Sequence, residues 1–267
     1  RASVRRQAES GVDFLTALAT TGETPTLSAE EKLELLRITR QEAPSLPILA
    51  GCGSNSLDAT IANIRLLEPL KPDAFLVVVP FYNKPTQQGQ YLYFKAVSES
   101  TDIPIVIYNV PGRTGANMTA DTAVRLAEDC PGIIATKEAS GNFSQVSEII
   151  RRRPEGFSVL SGDDDMTLAF MAAGADGVIS VASNVAPQAV ASMVHFLQEG
   201  KVDAARELHQ RLFPLFKACF VESNPVPAKA AMSLLGLMKD EVRLPLSRAA
   251  ESTFALMEKT LGDLQLL

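Results

Sequence analysis

The chain has 267 residues, 46% of them hydrophobic and 21% charged, a composition that supports a globular protein with a large core. Its net charge of −6 argues against nucleic acid or an anionic membrane as the main partner, because both require a basic face. Cys52, Cys130 and Cys219 lack paired spacing, which disfavours a disulfide framework or a zinc site and fits a reducing compartment.

No apolar run approaches the roughly 18 residues of a membrane span, and the opening RASVRRQAESG lacks the apolar core of a signal peptide. These features read as a soluble cytoplasmic protein. Residues 4–9 read as a helix feeding a first apolar run at 13–20 (DFLTALAT). A capping box, Ser28-Ala29-Glu30-Glu31, opens a helix that carries Leu33, Leu36 and Ile38. Further strand-like runs follow at 47–53, 74–80, 104–110, 133–139, 157–162 and 177–183. They are nearly continuous in apolar residues, as parallel strands covered on both faces should be. Amphipathic stretches at 59–67, 91–97, 120–127, 146–150 and 166–172 lie between them, which is the alternation of an α/β fold.

Seven strands are predicted, whereas a closed TIM (β/α)8 barrel needs eight. A leading helix with no strand before it suggests that the first strand is missing from the given chain. An open doubly wound sheet is the other arrangement, but no Gly-x-Gly-x-x-Gly follows a strand; Gly51-Cys52-Gly53-Ser54-Asn55 is at best a fragment of one. After Ser183 the strands stop. A helix at 187–199 closes the last repeat, and helices at 202–220, 225–237 and 246–264 form a C-terminal helical extension. The expected division is a barrel over residues 1–200 and a helical domain over 201–267.

In a barrel the carboxyl ends of the strands carry the site. Those ends hold Thr20-Thr21-Gly22-Glu23, Phe81-Tyr82-Asn83, Tyr108 to Arg113, Lys137-Glu138, Ser161-Gly162-Asp163 and Ile179. The set has no histidine, no evident metal ligands and no Ser-His pair, and it suits amine catalysis. A lysine amine forms an imine with a ketone, and the protonated imine is an electron sink for breaking an adjacent C–H bond. Burial disfavours an ammonium and so makes a neutral amine available. Tyrosine and threonine hydroxyls can relay protons, and an arginine can hold a carboxylate by a bidentate pair.

Each residue also has a plainer reading. Lys137 could snorkel to water and pair with Glu138, Tyr108 could be a core tyrosine, and Tyr82 could be interface packing. Thr20 and Thr21 could serve turn geometry, and Arg113 could be a surface residue in a Pro-Gly loop. Asp163-Asp164-Asp165 invites a metal but reads better as the cap of a helix from Met166, and His195 and His209 lie on late helices away from the strand ends. Strand alternation sends Lys137 and Glu138 to opposite faces, with Lys137 beside Tyr108.

Taken in order, Thr20-Thr21-Gly22-Glu23, Tyr82-Asn83-Lys84-Pro85, Tyr108 to Gly115, Lys137 to Gly141, Ser161 to Asp164 and Gly177 to Ser180 resemble the dihydrodipicolinate synthase family of the N-acetylneuraminate lyase superfamily, from Gly11 to about Leu237. The resemblance implies condensation of pyruvate with L-aspartate 4-semialdehyde to 4-hydroxy-tetrahydrodipicolinate, on the diaminopimelate route to lysine, with no cofactor. It implies that Lys137 forms the imine and that Tyr108, Thr21 and Tyr82 relay protons, Tyr82 doing so in a neighbouring subunit's site. Thr20 and Thr21 would bind the pyruvate carboxylate and Arg113 the semialdehyde carboxylate, while Gly162 and Ile179 would line the site. It further implies a homotetramer built as a dimer of dimers.

Arg113 in its Tyr-Asn-x-Pro-x-Arg-Thr loop separates this branch from sugar-acid lyases, the alternative enzyme reading; a non-catalytic paralogue is the other alternative. The positions matching the lysine-inhibition pocket of relatives hold Ala29, Lys32, Ala59 and Phe81, with Asn55 retained. A lost carboxylate and a gained cation should weaken binding of lysine's ammonium groups.

Overall fold

The computed structural model describes residues 1–267. The chain begins α1 (Ala2–Glu9), β1 (Leu15–Ala17), α2 (Ala29–Glu42), β2 (Ile48–Gly51), α3 (Leu57–Leu67), β3 (Ala74–Val78) and α4 (Gln87–Ser98). It continues β4 (Ile105–Asn109), a one-turn α5 (Pro111–Thr114), α6 (Ala120–Asp129), β5 (Ile133–Glu138), α7 (Phe143–Arg152), β6 (Ser158–Ser161), α8 (Thr167–Ala172) and β7 (Gly177–Val178). It ends with α9 (Pro187–Gln198), α10 (Val202–Ala218), α11 (Val226–Leu234) and α12 (Glu251–Asp263). The class is α/β, with seven strands as predicted. No helix is long and apolar enough to cross a membrane.

Packing divides the chain into two compact units, Pro47–Ile179 and a second made of Arg1–Leu46 with Ser180–Leu267. In the Pro47–Ile179 unit, β2 to β7 lie side by side in chain order, each paired parallel with the next. Every residue of β2 and of β4 is buried, which explains their unbroken apolar sequences. Phe75 and Ile107 on the strands and Phe94, Leu126, Ile149 and Phe170 on the helices are wholly buried. Side chains of this size each contribute about 1.5–3 kcal/mol through burial. Ser56, Thr86, Thr119 and Asn142 accept backbone N–H bonds at the starts of α3, α4, α6 and α7, so the sequence itself marks where each helix begins.

The β4–β5 pairing contains an irregularity. Ile105 pairs with Ile133, but Val106 pairs with Ala135, so Ile134 is passed over and is 39% exposed. Beyond this bulge Tyr108 lies opposite Lys137 and Asn109 opposite Glu138.

In the other unit, the predicted capping box at Ser28 and Glu31 is formed. The run expected as a strand over 13–20 is extended only from Leu15 to Ala17, because Leu18 takes a left-handed backbone (φ 57°) and Thr20–Gly22 form a 3-10 turn. The strand expected over 177–183 stops at Val178. The Ser183, Asn184 and Val185 carbonyls that follow are taken by Gln7 and Arg6 side chains of α1, and Ala182–Asn184 coil into a 3-10 turn. The last helix starts at Glu251 rather than Leu246, where Glu222 accepts bonds from the Ala250 N–H and the Thr253 hydroxyl. His195 pairs with Asp13 at 3.1 Å, and His209 lies against the rings of Phe213 and Phe216.

Gly53, just past β2, is fixed by a close backbone approach: a Cβ there would lie 2.6 Å from the Val78 nitrogen. Gly53→Ala is expected to destabilise the protein by about 1–3 kcal/mol through forced displacement of β3, read from the midpoint of urea unfolding.

Candidate active site

The strand ends of the Pro47–Ile179 unit bring a group of polar side chains together. Lys137, next to last in β5, is only 6% exposed. Its Nζ lies 4.0 Å from the centroid of the Tyr108 ring on β4, an arrangement in which the ring face attracts a cation. Tyr108 is itself buried. The salt bridge to Glu138 that would have made Lys137 a surface ion pair does not form; Glu138 bonds to Asn109, Ser140 and Gln145 instead.

Gly162, after β6, completes this wall. A Cβ at Gly162 would lie 2.7 Å from the Ala139 Cβ and 3.1 Å from the Lys137 Cε. Glycine therefore keeps open the space around the lysine stem. Ile179 continues the ladder beyond β7, its N–H donating to the Ser161 carbonyl at 2.9 Å. Asp163 lies beside Lys137 in electrostatic reach. Burial first, and Asp165 second, push its carboxyl up to about 6 against the opposing pull of Lys137. The expectation that the Asp163 side chain caps the following helix is corrected: Asp163 precedes a 3-10 turn at Asp164–Met166 with no side-chain cap, and its carboxylate takes the Gly141 backbone N–H. Asp164 and Asp165 do sit in the first turn, as acids at a helix start should.

Tyr82 and Arg113 stand on two loops joined by a bond from the Tyr82 N–H to the Thr114 carbonyl at 3.3 Å. Tyr82 is 87% exposed and has a left-handed backbone (φ 71°), closed by a bond from the Asn83 N–H to the Phe81 carbonyl. Arg113 lies exposed in the short α5 turn. In the other unit, Thr20 and Thr21 occupy the 3-10 turn, where the Asn224 amide donates to the Thr21 hydroxyl at 2.9 Å. Glu23, directly after, binds Lys229 at 2.7 Å and accepts the Arg243 N–H.

Sequence reasoning missed two features. Asp163 was placed among the strand ends but given no role beyond that of a helix cap, although its place directly after Gly162 put it near the lysine. The polar cluster behind β5 was also missed: Asn109 and Glu138, each following a predicted catalytic residue, share the opposite face and bond at 3.2 and 3.3 Å. Pairing the two strand ends in register would have revealed it. Glu138 accepts further bonds from Ser140 at 3.0 Å and Gln145 at 3.2 Å. Burial outweighs these donors and pushes the Glu138 carboxyl up to about 7.

The sequence pattern of the dihydrodipicolinate synthetase family matches residues 1–263. The 4-hydroxy-tetrahydrodipicolinate synthase of Thermosipho melanesiensis is 44% identical over 256 residues, spanning 96% of this chain and 89% of the relative. The crystal structure of dihydrodipicolinate synthase from Thermotoga maritima is 42% identical, with a TM-score of 0.98 over 100% of this chain and 92% of that one. A structure described as the first monomeric dihydrodipicolinate synthase variant is also 42% identical, with a TM-score of 0.98 over 100% of this chain and 90% of that one. The fold and strand-end chemistry define an α/β protein bearing a buried amine. Within that class, the chain belongs to the dihydrodipicolinate synthase family.

The raised Glu138 carboxyl has a thermodynamic consequence. Between its ordinary value of 4.5 and about 7 the folded protein holds a proton that the unfolded chain has released, so stability falls as pH rises through that window. Glu138→Gln should flatten this slope, by on the order of 1–3 kcal/mol across the window, in urea unfolding followed from pH 4.5 to 7.5. Part of the slope should remain, because Asp163 contributes with the same sign.

Proposed function

We propose that this chain is a lyase, a 4-hydroxy-tetrahydrodipicolinate synthase, that condenses pyruvate with L-aspartate 4-semialdehyde through an imine on Lys137. The observation that carries the reading is the setting of that lysine, buried, over the Tyr108 ring at 4.0 Å and unpaired with Glu138. The Nζ attacks the ketone carbon of pyruvate, and proton transfers with loss of water leave the imine. The protonated imine accepts the electrons of a methyl C–H bond, and the resulting enamine carbon attacks the aldehyde of the second substrate.

Tyr108, Thr21 and Tyr82 relay the protons these steps move. Thr20 and Thr21 bind the pyruvate carboxylate, Arg113 binds the semialdehyde carboxylate, and Gly162 and the Ile179 backbone line the site. Supporting Tyr82's part, its turn is held in a left-handed backbone by bonds to neighbouring carbonyls while its side chain, 87% exposed, stands clear of local packing. Both features suit a side chain that reaches into a second copy of the chain. The assembly in this reading is a homotetramer, a dimer of dimers, and the location is the cytoplasm. The fold in this reading is of the TIM (β/α)8 type, with seven of its eight strands supplied by residues 1–200, and a helical extension over 201–267.

Incubation with pyruvate and borohydride should leave a pyruvate-derived adduct on the peptide carrying Lys137, read by mass spectrometry, and none in Lys137→Ala. A folded wild-type protein that forms no adduct would overturn the reading. Arg113→Ala should raise KM for the semialdehyde by about tenfold or more while pyruvate trapping persists; turnover of sugar acids in preference to the semialdehyde would favour a sugar-acid lyase instead. Free lysine should inhibit weakly or not at all, given Ala29, Lys32, Ala59 and Phe81. Half-inhibition at submillimolar lysine in a steady-state assay would contradict that expectation.

A further inference from the structure

Glu138 has no part in the chemistry just described, yet it is wholly buried and lies next to the amine-bearing residue. A buried carboxylate is costly unless donors surround it. Three side chains donate to Glu138, from three different places: Asn109 at the end of β4, Ser140 just past β5, and Gln145 in the first turn of α7. The cluster closes on itself. The Asn109 amide also donates to the Asn117 side chain at 2.9 Å, and the Asn117 amide donates to Gln145 at 2.8 Å. The Asn109 side-chain Oδ1 takes the Met118 N–H at 3.0 Å, and Asn142 caps α7 by accepting the Gln145 N–H, which sets the origin of the Gln145 side chain.

Each anchor is one residue from a group proposed to act on pyruvate. Asn109 follows Tyr108 and Glu138 follows Lys137, in register across the same two strands. We propose that Glu138 is a positioning residue, whose carboxylate clamps the ends of β4 and β5 from the rear so that the Lys137 amine is held over Tyr108. This rests on Lys137 being the imine-forming residue.

The clamp depends on an acceptor-only carboxylate. A proton on Glu138 would make one oxygen a donor facing donors, and a hydrogen bond would be lost. The charged group that acts on Glu138 is Asp163, beside Lys137, which raises its carboxyl further. The charges on the helices covering this side are turned outward: Arg152 pairs with Asp121, Arg151 with Glu148, and Arg125 with Asp129, while Glu128 of α6 is exposed. With its carboxyl at about 7, Glu138 titrates in the range where activity would be measured. The clamp therefore loosens on acidification.

The test uses the full-length protein and compares wild type with Glu138→Gln and Ser140→Ala. In Glu138→Gln, kcat should fall about tenfold or more with KM for pyruvate changed less than about threefold, the pattern of a misplaced reacting group. Borohydride trapping should still fall on Lys137 but more slowly, and the acid limb of the kcat profile near pH 7 should vanish. Ser140→Ala removes one donor from the carboxylate, so its acid limb should move to higher pH. A folded Glu138→Gln with wild-type kcat and pH profile would overturn the proposal, as would an unmoved limb in Ser140→Ala, which decides the matter if Glu138→Gln does not fold. If wild type traps normally and the variants match it, only this inference fails. If wild type forms no adduct with pyruvate, the reading of Lys137 and this inference fall together.

Discussion

The bulge at Ile134 is the constraint on which the strand-end chemistry depends. Side-chain faces alternate along a strand, so one slipped residue exchanges everything beyond it between the two faces. Without the slip, Ile105 opposite Ile133 would run on to set Tyr108 opposite Thr136 and Asn109 opposite Lys137. Glu138 would then share the face of Tyr108, and the lysine would lie among the helices. With the slip, Val106 pairs with Ala135 and the order becomes Tyr108 opposite Lys137, with Asn109 opposite Glu138. One half-exposed isoleucine thus separates an amine face from a carboxylate face.

The two faces meet the cost of buried polar groups differently. On the amine face, a ring and an acid surround Lys137: the Tyr108 face is worth about 0.5–2 kcal/mol to a cation, and Asp163 lies within electrostatic reach. Neither binds the nitrogen through a fixed hydrogen bond, so the amine stays available. On the rear face, Glu138 is tied by fixed bonds from Asn109, Ser140 and Gln145. Phe75 and Ile107, which alternation places on the same face as Asn109, are wholly buried, as are Phe94 and Ile149 on the helices. That contrast, loose on one side and locked on the other, suits the proposed roles of Lys137 as a nucleophile and Glu138 as its support.

Much of this was legible in the sequence because apolar runs and helix caps are local signals. The runs at 74–80 and 104–110 became β3 and β4 within two residues at each end, and the Ser28–Glu31 box formed as read. The first and last strands were overestimated for the same reason: composition shows where a chain can extend, not where it turns. Leu18 turns the chain with a left-handed backbone, and the carbonyls of Ser183, Asn184 and Val185 are claimed by Gln7 and Arg6, roughly 180 residues away in sequence. Long-range bonds of that kind leave no periodic trace. Lys137 was legible as an awkward charge at the end of an apolar run. The bulge that aims it was not, because Ile134 in sequence looks like any strand isoleucine.

The strand ends and the loops place side chains by different physics. Lys137, Tyr108 and Gly162 are positioned by paired strands, where displacement of one breaks a ladder shared with its neighbours. Tyr82 is positioned by strain: a non-glycine residue at φ 71° costs about 1–3 kcal/mol and persists only where its surroundings over-determine it. The Tyr82 N–H is bonded to the Thr114 carbonyl, so its loop moves with the turn that carries Arg113. The residue proposed to hold the second substrate in this chain's own site and the residue proposed to pass protons in a second copy's site are therefore carried on joined segments. In the proposed reading the paired strands hold the amine rigidly within one site, while the bond between the Tyr82 and Arg113 segments ties a group for this site to a group for a neighbouring copy's site.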